Sequence, residues 1–419
     1  MKRIEIVNAT HYKTGEKINI FIENGVFVDS LSDKADEVIE ADGLTVMPGL
    51  VDMHCHLREP GFEYREDIKT GTRSAAKGGF SSVCCMPNTK PVCDNAAVVE
   101  GILRKAEQVG SANVFPIGAA SKGLEGKEIA EMGLMKEAGI VAVSDDGRPI
   151  ATANLLKKVM EYASDFDLPV LNHCEDLSIA EGAMNDGDVA TSLGLRGIPA
   201  IAEEIMIARD ILTAEYLEMP IHICHVSTKR GIDIIRLAKK RGVRVTCETC
   251  PHYFSLTEDA CESYNSNFKM NPPLRTEEDR KAVIEGLKDG TIDCIVTDHA
   301  PHHVDEKDIE FSLANNGIIG FETAFGVGYT YLVKPGYLSL DEMVDKMTIN
   351  PSKILHLGRG TLDKGMPADV TLADLSSEYV YTKEEILSKS TNSPYIGETL
   401  TGRVKVTITG GKITYDELR

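Results

Sequence analysis

Both ends of the chain carry an alternating pattern of apolar and polar residues. Residues 1–47 and 360–419 alternate in this way, as at 18–22, 369–372 and 404–408. A period of two is typical of antiparallel strands with one buried face. We therefore predict that the two ends fold together into one small, discontinuous, β-sandwich-like domain.

The middle of the chain, residues 48–359, alternates short apolar runs with longer helical patterns. Eight runs are interpreted as buried strands, at 49–53, 80–84, 113–117, 140–143, 169–172, 221–224, 243–247 and 294–297. Apolar residues at helical spacing lie between them, as at 100–108, 128–138, 201–216 and 277–288. This alternation predicts an α/β fold, a (β/α)8 TIM barrel. A doubly wound open sheet is the alternative, but no G-x-G-x-x-G or G-x-x-x-x-G-K-[ST] motif follows any run.

Composition narrows the class of protein. Of 419 residues, 42% are apolar and 26% charged, and no apolar run approaches the roughly 20 residues of a membrane span. The N-terminus lacks the apolar segment of a signal peptide, so we expect a cytoplasmic protein. Lys and Arg total 45 against 65 Asp and Glu, and the net charge of -20 argues against nucleic-acid or anionic-membrane partners. A small anionic substrate stays compatible with a locally basic pocket.

The ten cysteines lie mostly inside apolar runs. In a long chain without a signal peptide, we expect them to be reduced interior residues and not a disulfide framework. Cys247 and Cys250 form a lone C-x-x-C motif with no second pair at zinc spacing. We therefore favour small interior residues there over a structural zinc or a redox pair.

Polar residues follow five of the predicted barrel strands. His54-Cys55-His56, Asp145-Asp146, His173, His225 and Asp298-His299 come after the first, fourth, fifth, sixth and eighth runs. Barrel active sites lie at the carboxyl ends of the strands, so these side chains are expected to meet. His54 and His56 share one face of an extended segment, because side chains alternate along it. Neutral imidazole and carboxylate are the ligands of catalytic zinc, which keeps one position open for water.

A purely structural role of these histidines is the alternative to a metal site. A single buried histidine is more often a hydrogen-bonded core residue than a ligand, and H-x-H alone is a weak motif. Four histidines and two aspartates at the same end of different predicted strands are much harder to assign to chance. We therefore predict a metal site.

These residues carry a family resemblance. Residues 48–61, with the sequence PGLVDMHCHLREPG, resemble the metal-binding signature of the amidohydrolase superfamily, and more narrowly that of the long-chain bacterial dihydroorotases. The resemblance continues through MPNT, SDDG, HCED, CHVST, KMNPPLR and TDHAPH, which lie at residues 86–89, 144–147, 173–176, 224–228, 269–275 and 297–302. It covers nearly the whole chain, since 360–372 and 402–411 resemble the returning β segments of the family.

The resemblance implies a binuclear zinc site with one or two Zn2+ ions per subunit. His54, His56 and Asp298 would hold the first metal, and His173 and His225 the second. Many members of the superfamily bridge the metals with a carboxylated lysine after the fourth strand. Asp146 stands at that position here, as in the bacterial dihydroorotases that the chain most resembles. Asp145 stays open as an alternative bridge.

The resemblance also implies an activity, the interconversion of dihydroorotate and N-carbamoyl-L-aspartate in pyrimidine biosynthesis. Asp298 would move the proton between the attacking water and the departing ring nitrogen. Arg58 offers a planar, two-pronged donor for the substrate carboxylate. The other implied substrate contacts are His56, Asn88, Asn271, His302 and the backbone of Asn316 and Gly317. From the residues alone, Arg58 could equally be an ion-pair partner of Glu59 or Glu63.

Two rival functions and several partners are weighed beside this one. A hydantoinase or allantoinase shares the barrel and histidines but usually keeps the lysine and lacks the H-L-R-E-P-G and M-P-N-T motifs. A non-catalytic homologue that scaffolds a transcarbamoylase would have lost metal ligands. We expect a homodimer, and association with an aspartate transcarbamoylase stays open. The charged segment 302–311 is either a solvated loop or a lid over the substrate.

Overall fold

A computed structural model describes residues 2–418; Met1 and Arg419, the outermost residues of the predicted end domain, lie outside the described residues. The strands are β1 (Arg3–His11), β2 (Lys17–Glu23), β3 (Val26–Val28), β4 (Glu37–Glu40), β5 (Thr45–Pro48), β6 (Leu50–Cys55), β7 (Phe80–Cys85), β8 (Asn113–Ala119), β9 (Ala142–Ser144), β10 (Leu171–Asn172), β11 (Met184–Asn185), β12 (Gly197–Ile198), β13 (Ile221–Ile223), β14 (Val245–Thr249), β15 (Cys294–Ile295), β16 (Val370–Val380), β17 (Thr399–Thr409) and β18 (Lys412–Asp416). The α-helices are α1 (Ile68–Lys77), α2 (Ala96–Val109), α3 (Met132–Ala138), α4 (Ala153–Ser164), α5 (Asp188–Leu193), α6 (Ile201–Leu217), α7 (Lys229–Lys240), α8 (Pro251–Ser255), α9 (Glu277–Lys288), α10 (Val304–Lys307), α11 (Phe321–Gly328), α12 (Leu340–Lys346) and α13 (Ile349–Ile354).

Eight parallel strands form the barrel. β6 to β9 make one four-stranded sheet, and β10, β13, β14 and β15 make another. A parallel bridge between Val143 and Val170 joins the sheets on one side, and one between Cys55 and His299 closes them on the other. Every residue of β6 and β7 is buried, as expected of strands covered on both faces. The predicted (β/α)8 barrel is confirmed.

The two chain ends share a second sheet. Its strands run in the order β18-β17-β16-β5-β1-β2-β3, and β4 pairs with β1 on the side. This sheet has its own core, formed by alternating residues such as Ile4, Ile6, Val370 and Ile408. β5 leads directly into β6 through Gly49, where a Cβ atom would lie 2.3 Å from the Ser81 hydroxyl oxygen. The separate β unit built from both ends, as the alternation predicts, is therefore present.

Local signals explain most helix boundaries. α9 begins at Glu277 because Thr276 and Asp279 form a capping box, in which each side chain accepts from the other residue's backbone N–H. α3 begins at Met132, four residues after the predicted start, because Ile129 forms an antiparallel bridge with Ser121. The backbone of this segment is thus drawn away from the helical path.

The remaining expectations on composition concern the cysteines and membrane spans. All ten cysteines are buried and free. Cys247 donates to the backbone carbonyl of Thr291, and neither it nor Cys250 belongs to any group of potential metal ligands formed by residues 2–418. Within the same residues, no helix is long and apolar enough to cross a membrane.

Candidate active site

The predicted metal ligands converge at the carboxyl ends of the barrel strands. His54 lies in β6 and His56 directly after it, while the others follow β9, β10, β13 and β15. All six side chains are buried: His54, His56, Asp146, His173, His225 and Asp298. The backbone N–H of Asp298 donates to the carbonyl of His54 at 3.0 Å, so the closure of the barrel brings the first and last strands together here.

Asp146 lies at the centre of this cluster. Its Oδ1 atom is 3.5 Å from His54 Nε2 and 3.4 Å from His225 Nε2. The same oxygen is 3.6 Å from His173 Nδ1, and Oδ2 is 3.5 Å from His56 Nε2. One carboxylate thus faces histidines of both predicted metal sites, which is the position that a bridging ligand needs.

Asp145, the alternative bridge, points elsewhere. Its Oδ1 accepts from the Ser121 backbone N–H at 2.8 Å, and its Oδ2 accepts from the Ser121 hydroxyl at 2.6 Å. Both oxygens are therefore engaged outside the histidine cluster. The geometry favours Asp146 over Asp145.

The cluster fits a metal ion. His54, His56 and Asp298 offer ligand atoms within 4.8 Å of one another, as do His54, Asp146 and His225. His54 Nε2 and Asp146 Oδ1 are buried without a hydrogen-bond partner, an arrangement that is costly unless another group completes it. Burial opposes a charge on His54, yet Asp146 and Glu248 raise the pKa of this imidazole well above its ordinary value. The surrounding carboxylates thus favour a positive charge at this place.

Glu248 supports the cluster and was missed by the sequence analysis. It is fully buried in β14, where Oε1 accepts from His54 Nδ1 at 2.5 Å and Oε2 from His222 Nε2 at 3.1 Å. Burial opposes its ionisation, but His54 and His222 lower the pKa of Glu248 to about 2. With Nδ1 donating to Glu248, Nε2 is the ring nitrogen of His54 that faces the cluster, where a metal ion would take the place of its proton. A glutamate directly after the predicted strand at 243–247 was the available signal.

Glu175 plays a similar part on the opposite side. Its Oε2 accepts from His173 Nε2 at 3.1 Å and from the Asn271 amide at 3.1 Å. Burial alone would raise the pKa of Glu175, but the interactions with His173 and Asn271 lower it, and the net effect is a lowered pKa. Glu175 therefore joins a predicted ligand to a predicted substrate contact, although the sequence analysis gave it no role.

A cavity of about 180 Å³ opens above the cluster. All the predicted substrate contacts line it, namely His56, Arg58, Asn88, Asn271, His302, Asn316 and Gly317, together with Asp146, His173, His225 and Asp298. Asn88 accepts from His56 Nδ1 at 2.8 Å, so its side-chain oxygen holds that ring in place. The structure thus gathers every predicted site residue except His54 in the cavity wall, and His54 lies buried beneath.

Arg58 supplies positive charge to the cavity wall. It is 7% exposed, and its Nε donates to the carbonyl of Pro301 at 3.1 Å. Burial is the main reason that its pKa falls, to about 10, so the guanidinium stays protonated at neutral pH. Neither Glu59 nor Glu63 forms an ion pair with it among residues 2–418. The surface ion-pair interpretation of Arg58 is wrong.

His302 lies between Arg58 and Asn316. Its Nε2 lies 2.7 Å from the Asn316 carbonyl and 3.3 Å from the Arg58 guanidinium. The shorter distance assigns the proton to Nε2, which donates to Asn316. Burial and the charge of Arg58 hold the pKa of His302 well below its ordinary value, so the ring is neutral. Arg58 therefore keeps its outer N–H groups for an anion.

The backbone at Gly317 departs from the predicted role. Its N–H donates to the Lys269 carbonyl at 3.0 Å, and its carbonyl accepts from the Asn392 amide at 3.0 Å. A Cβ atom there would lie 2.6 Å from the Ala300 side chain, at a φ of +126°. Glycine is needed for this close approach, and the Gly317 N–H is already occupied within the protein.

The charged segment 302–311 lies at the rim of the cavity. Glu306 accepts from the Tyr64 hydroxyl at 2.9 Å and from Arg65 Nε at 3.0 Å. Ser266 donates to the Lys307 carbonyl. The segment is thus tied to its neighbours at the carboxyl end of α10, and its movement as a lid stays a prediction.

Comparison with known sequences identifies the closely related proteins. A family model described as Dihydro-orotase-like matches residues 43–231. The dihydroorotase of Acetivibrio thermocellus is 56% identical over 404 residues, which cover 96% of this chain and 95% of that protein. The dihydroorotase of Ruminiclostridium cellulolyticum is 60% identical over 376 residues, covering 90% of this chain and 88% of that protein.

Comparison with solved structures agrees on the fold. The L-hydantoinase (dihydropyrimidinase) from Arthrobacter aurescens matches with a TM-score of 0.90 at 25% identity, covering 100% of this chain and 97% of that chain. A D-hydantoinase matches with a TM-score of 0.86 at 22% identity, covering 99% of this chain and 95% of that chain. The second likeness concerns the fold alone, whereas the sequence relatives share more than half of their residues with this chain. The chain therefore belongs to the dihydroorotase family of cyclic amide hydrolases.

Proposed function

We propose that this enzyme is a zinc-dependent dihydroorotase that reversibly cyclises N-carbamoyl-L-aspartate to L-dihydroorotate and water, in the de novo synthesis of UMP. The observation that carries the proposal is that one cavity combines a cluster of potential metal ligands with a positively charged guanidinium. Three histidines and two aspartates of the cluster line it, His54 lies buried beneath them, and Arg58 stands in its wall. A cyclic amide with a carboxylate outside the reacting bond needs both.

We assign His54, His56 and Asp298 to one zinc ion and His173 and His225 to a second, with Asp146 between them. The donor set of imidazole nitrogens and carboxylate oxygens is one that catalytic zinc takes, which supports the choice of this metal. When bound, zinc lowers the pKa of a water molecule to about 7 and polarises a carbonyl group. Glu248 would hold His54 in the tautomer that a ligand requires.

Asp298 is the residue that we assign to proton transfer. It meets His56 Nε2 through Oδ1 at 3.1 Å, and Oδ2 is the atom that we assign to the proton. Burial opposes ionisation, but His56 and His54 lower the pKa of Asp298, so the group is an ionised carboxylate at neutral pH. In ring opening, the oxygen of water bonds to the carbonyl carbon while Asp298 takes one proton from that water. The ring C–N bond then breaks, Asp298 delivers this proton to the ring nitrogen, and the second proton of the water stays with the new carboxyl group until it ionises. Ring closure runs through the same steps in reverse.

Arg58 is the residue that we assign to the substrate carboxylate. Its guanidinium presents paired N–H donors that match a carboxylate, and Pro301 holds its Nε side. Asn88, Asn271 and His302 surround the same space and would contact the ring or its carboxylate. A substrate that lacks the carboxylate, such as hydantoin, would leave this charge without a partner.

One set of measurements tests the proposal. Purified enzyme is analysed for metal content and assayed on L-dihydroorotate, N-carbamoyl-L-aspartate, hydantoin and allantoin. We expect zinc, turnover of the first two compounds, and little activity on the other two. Comparable turnover of allantoin, or none of dihydroorotate in zinc-replete enzyme, would contradict the proposal.

Four further expectations belong with this proposal. We propose that the chain divides into an end domain, residues 1–47 and 360–419, and a barrel domain, residues 48–359. A homodimer and a cytoplasmic location stay predictions, and association with an aspartate transcarbamoylase stays open. Light scattering on a size-exclusion column, with and without an added transcarbamoylase, measures the two assembly states directly.

A further inference from the structure

A buried lysine underlies the rim of the cavity. Lys307 is the last residue of α10 and is only 4% exposed. Within the described part of the chain, it forms no ion pair with a carboxylate. Its Nζ donates instead to three backbone carbonyls, those of Lys269 at 3.2 Å, Asn315 at 2.8 Å and Gly317 at 3.1 Å. All three N–H donors of the ammonium group are thereby used.

The three carbonyls belong to two segments that line the cavity. Asn315 and Gly317 flank Asn316, and Lys269 precedes Asn271 by two residues. The Lys269 carbonyl also accepts from the Gly317 N–H at 3.0 Å. A single ammonium group therefore joins the two segments that supply three of the predicted substrate contacts, Asn271, Asn316 and Gly317.

Burial of this ammonium group destabilises the folded state. An ammonium group without a paired carboxylate is costly to bury. Burial and the neighbouring charge of Lys269 lower the pKa of Lys307 to about 7. A methionine of similar length would fill the same space without burying a charge but would donate to none of the three carbonyls, so the hydrogen bonds and not the packing explain a lysine here.

A second buried lysine provides a comparison. Lys346 is 8% exposed and ends α12, and its Nζ donates to one carbonyl, that of Ile292, at 2.7 Å. Ile292 precedes β15, so this contact lies at the amino end of the barrel strands, opposite the cavity. Lys346 thus shares burial and backbone hydrogen bonding with Lys307 but has no link to the site.

We infer that Lys307 is a positioning residue for substrate binding, whose ammonium group holds the 315–317 backbone against the 269–271 segment. The inference rests on the proposed function, because Asn271 is assigned there to the substrate and Asn316 lines the same cavity. The hydrogen bonds of Lys307 set the width of the cavity between Asn271 and Asn316. Loss of this hold would let the wall that contacts the substrate move, so it is expected to weaken binding measurably.

The test compares Lys307→Met with Lys346→Met. We expect Lys307→Met to raise KM for dihydroorotate by at least about tenfold, with kcat within about threefold of wild type and metal content unchanged. Lys346→Met should leave KM within about twofold, since it acts only on the far end of the barrel. The rate of amide hydrogen exchange, measured by mass spectrometry, should rise in peptides that cover 266–271 and 311–317. This rise should occur in Lys307→Met and not in Lys346→Met. Should that variant not fold, Lys307→Gln, which keeps two N–H donors without the charge, replaces it in the same comparison.

The possible results separate the two proposals. An unchanged KM in Lys307→Met, an equal rise in both variants, or a loss of kcat with KM unchanged overturns the role of Lys307. If zinc-replete wild-type enzyme does not turn over dihydroorotate, the proposed function fails. Hydrogen exchange in the two peptides then decides alone whether Lys307 holds these segments together.

Discussion

Replacement of Arg58 by lysine separates carboxylate recognition from the chemistry of the ring. Lysine keeps the positive charge but loses the planar pair of N–H donors and the contact of Nε with the Pro301 carbonyl. The parent guanidinium is 7% exposed and stays charged, because its pKa of about 10 lies well above neutrality. Its interaction with a carboxylate is therefore shielded from water.

The size of the effect follows from the number of hydrogen bonds lost. A hydrogen bond to a charged group contributes about 1.5–3 kcal/mol. Loss of one such bond in Arg58→Lys corresponds to a roughly 10- to 150-fold fall in kcat/KM for dihydroorotate. The carboxylate lies outside the reacting bond and is bound before and during reaction, so the fall should appear mainly in KM. Arg58→Met, which removes the charge as well, should lose more.

The assay compares two substrates that differ only in this carboxylate. Dihydrouracil has the same ring as dihydroorotate without the carboxylate, and its kcat/KM should change by less than about threefold in Arg58→Lys. Arg236→Lys serves as a control. Arg236 lies on α7, where it pairs with Asp289, and it is not part of the cavity wall. Metal content is measured in every sample. Equal losses on both substrates, or an unchanged KM for dihydroorotate, would refute the assignment of Arg58 to the carboxylate.

Four further predictions concern the metal cluster. Asp298→Asn should lower turnover at least about a hundredfold through loss of a positioned acid–base group, measured together with metal content; turnover near wild type would reject its role. Glu248→Gln should weaken zinc retention by about 10- to 100-fold in a chelator competition, because glutamine offers His54 and His222 one uncharged acceptor oxygen in place of two charged ones; unchanged retention would make Glu248 a packing residue only. Asp146→Ala should lose the second zinc before the first, since His173 and His225 alone remain there, whereas equal loss would mean that the two ions bind as one unit. Apoenzyme prepared without bicarbonate should regain full activity with zinc alone, because Asp146 needs no carboxylation; reactivation that depends on bicarbonate would contradict Asp146 as the bridge.

The sequence by itself determined the architecture and most residues of the candidate site. Alternation with a period of two marked both chain ends, and eight apolar runs marked the barrel strands. Polar residues directly after a run must lie at the carboxyl end of a strand, and all parallel strands of a barrel bring those ends to one face. His54, Asp146 and Asp298 could therefore be placed together without any knowledge of the loops. The family motifs added Arg58 and Asn88.

Tertiary structure decided which neighbouring groups do what. Asp145 and Asp146 are adjacent in sequence, and only the position of Ser121 turns one away from the histidines. Glu248 meets His54 across 194 residues, a contact that depends on how β14 and β6 face each other inside the barrel. Lys307 lies in a charged segment for which the sequence left a solvated loop and a lid open, and packing of 266–269 and 312–317 buries it. Local patterns report which face of an element is apolar, but the partner of a polar group is set by contacts between distant parts of the chain.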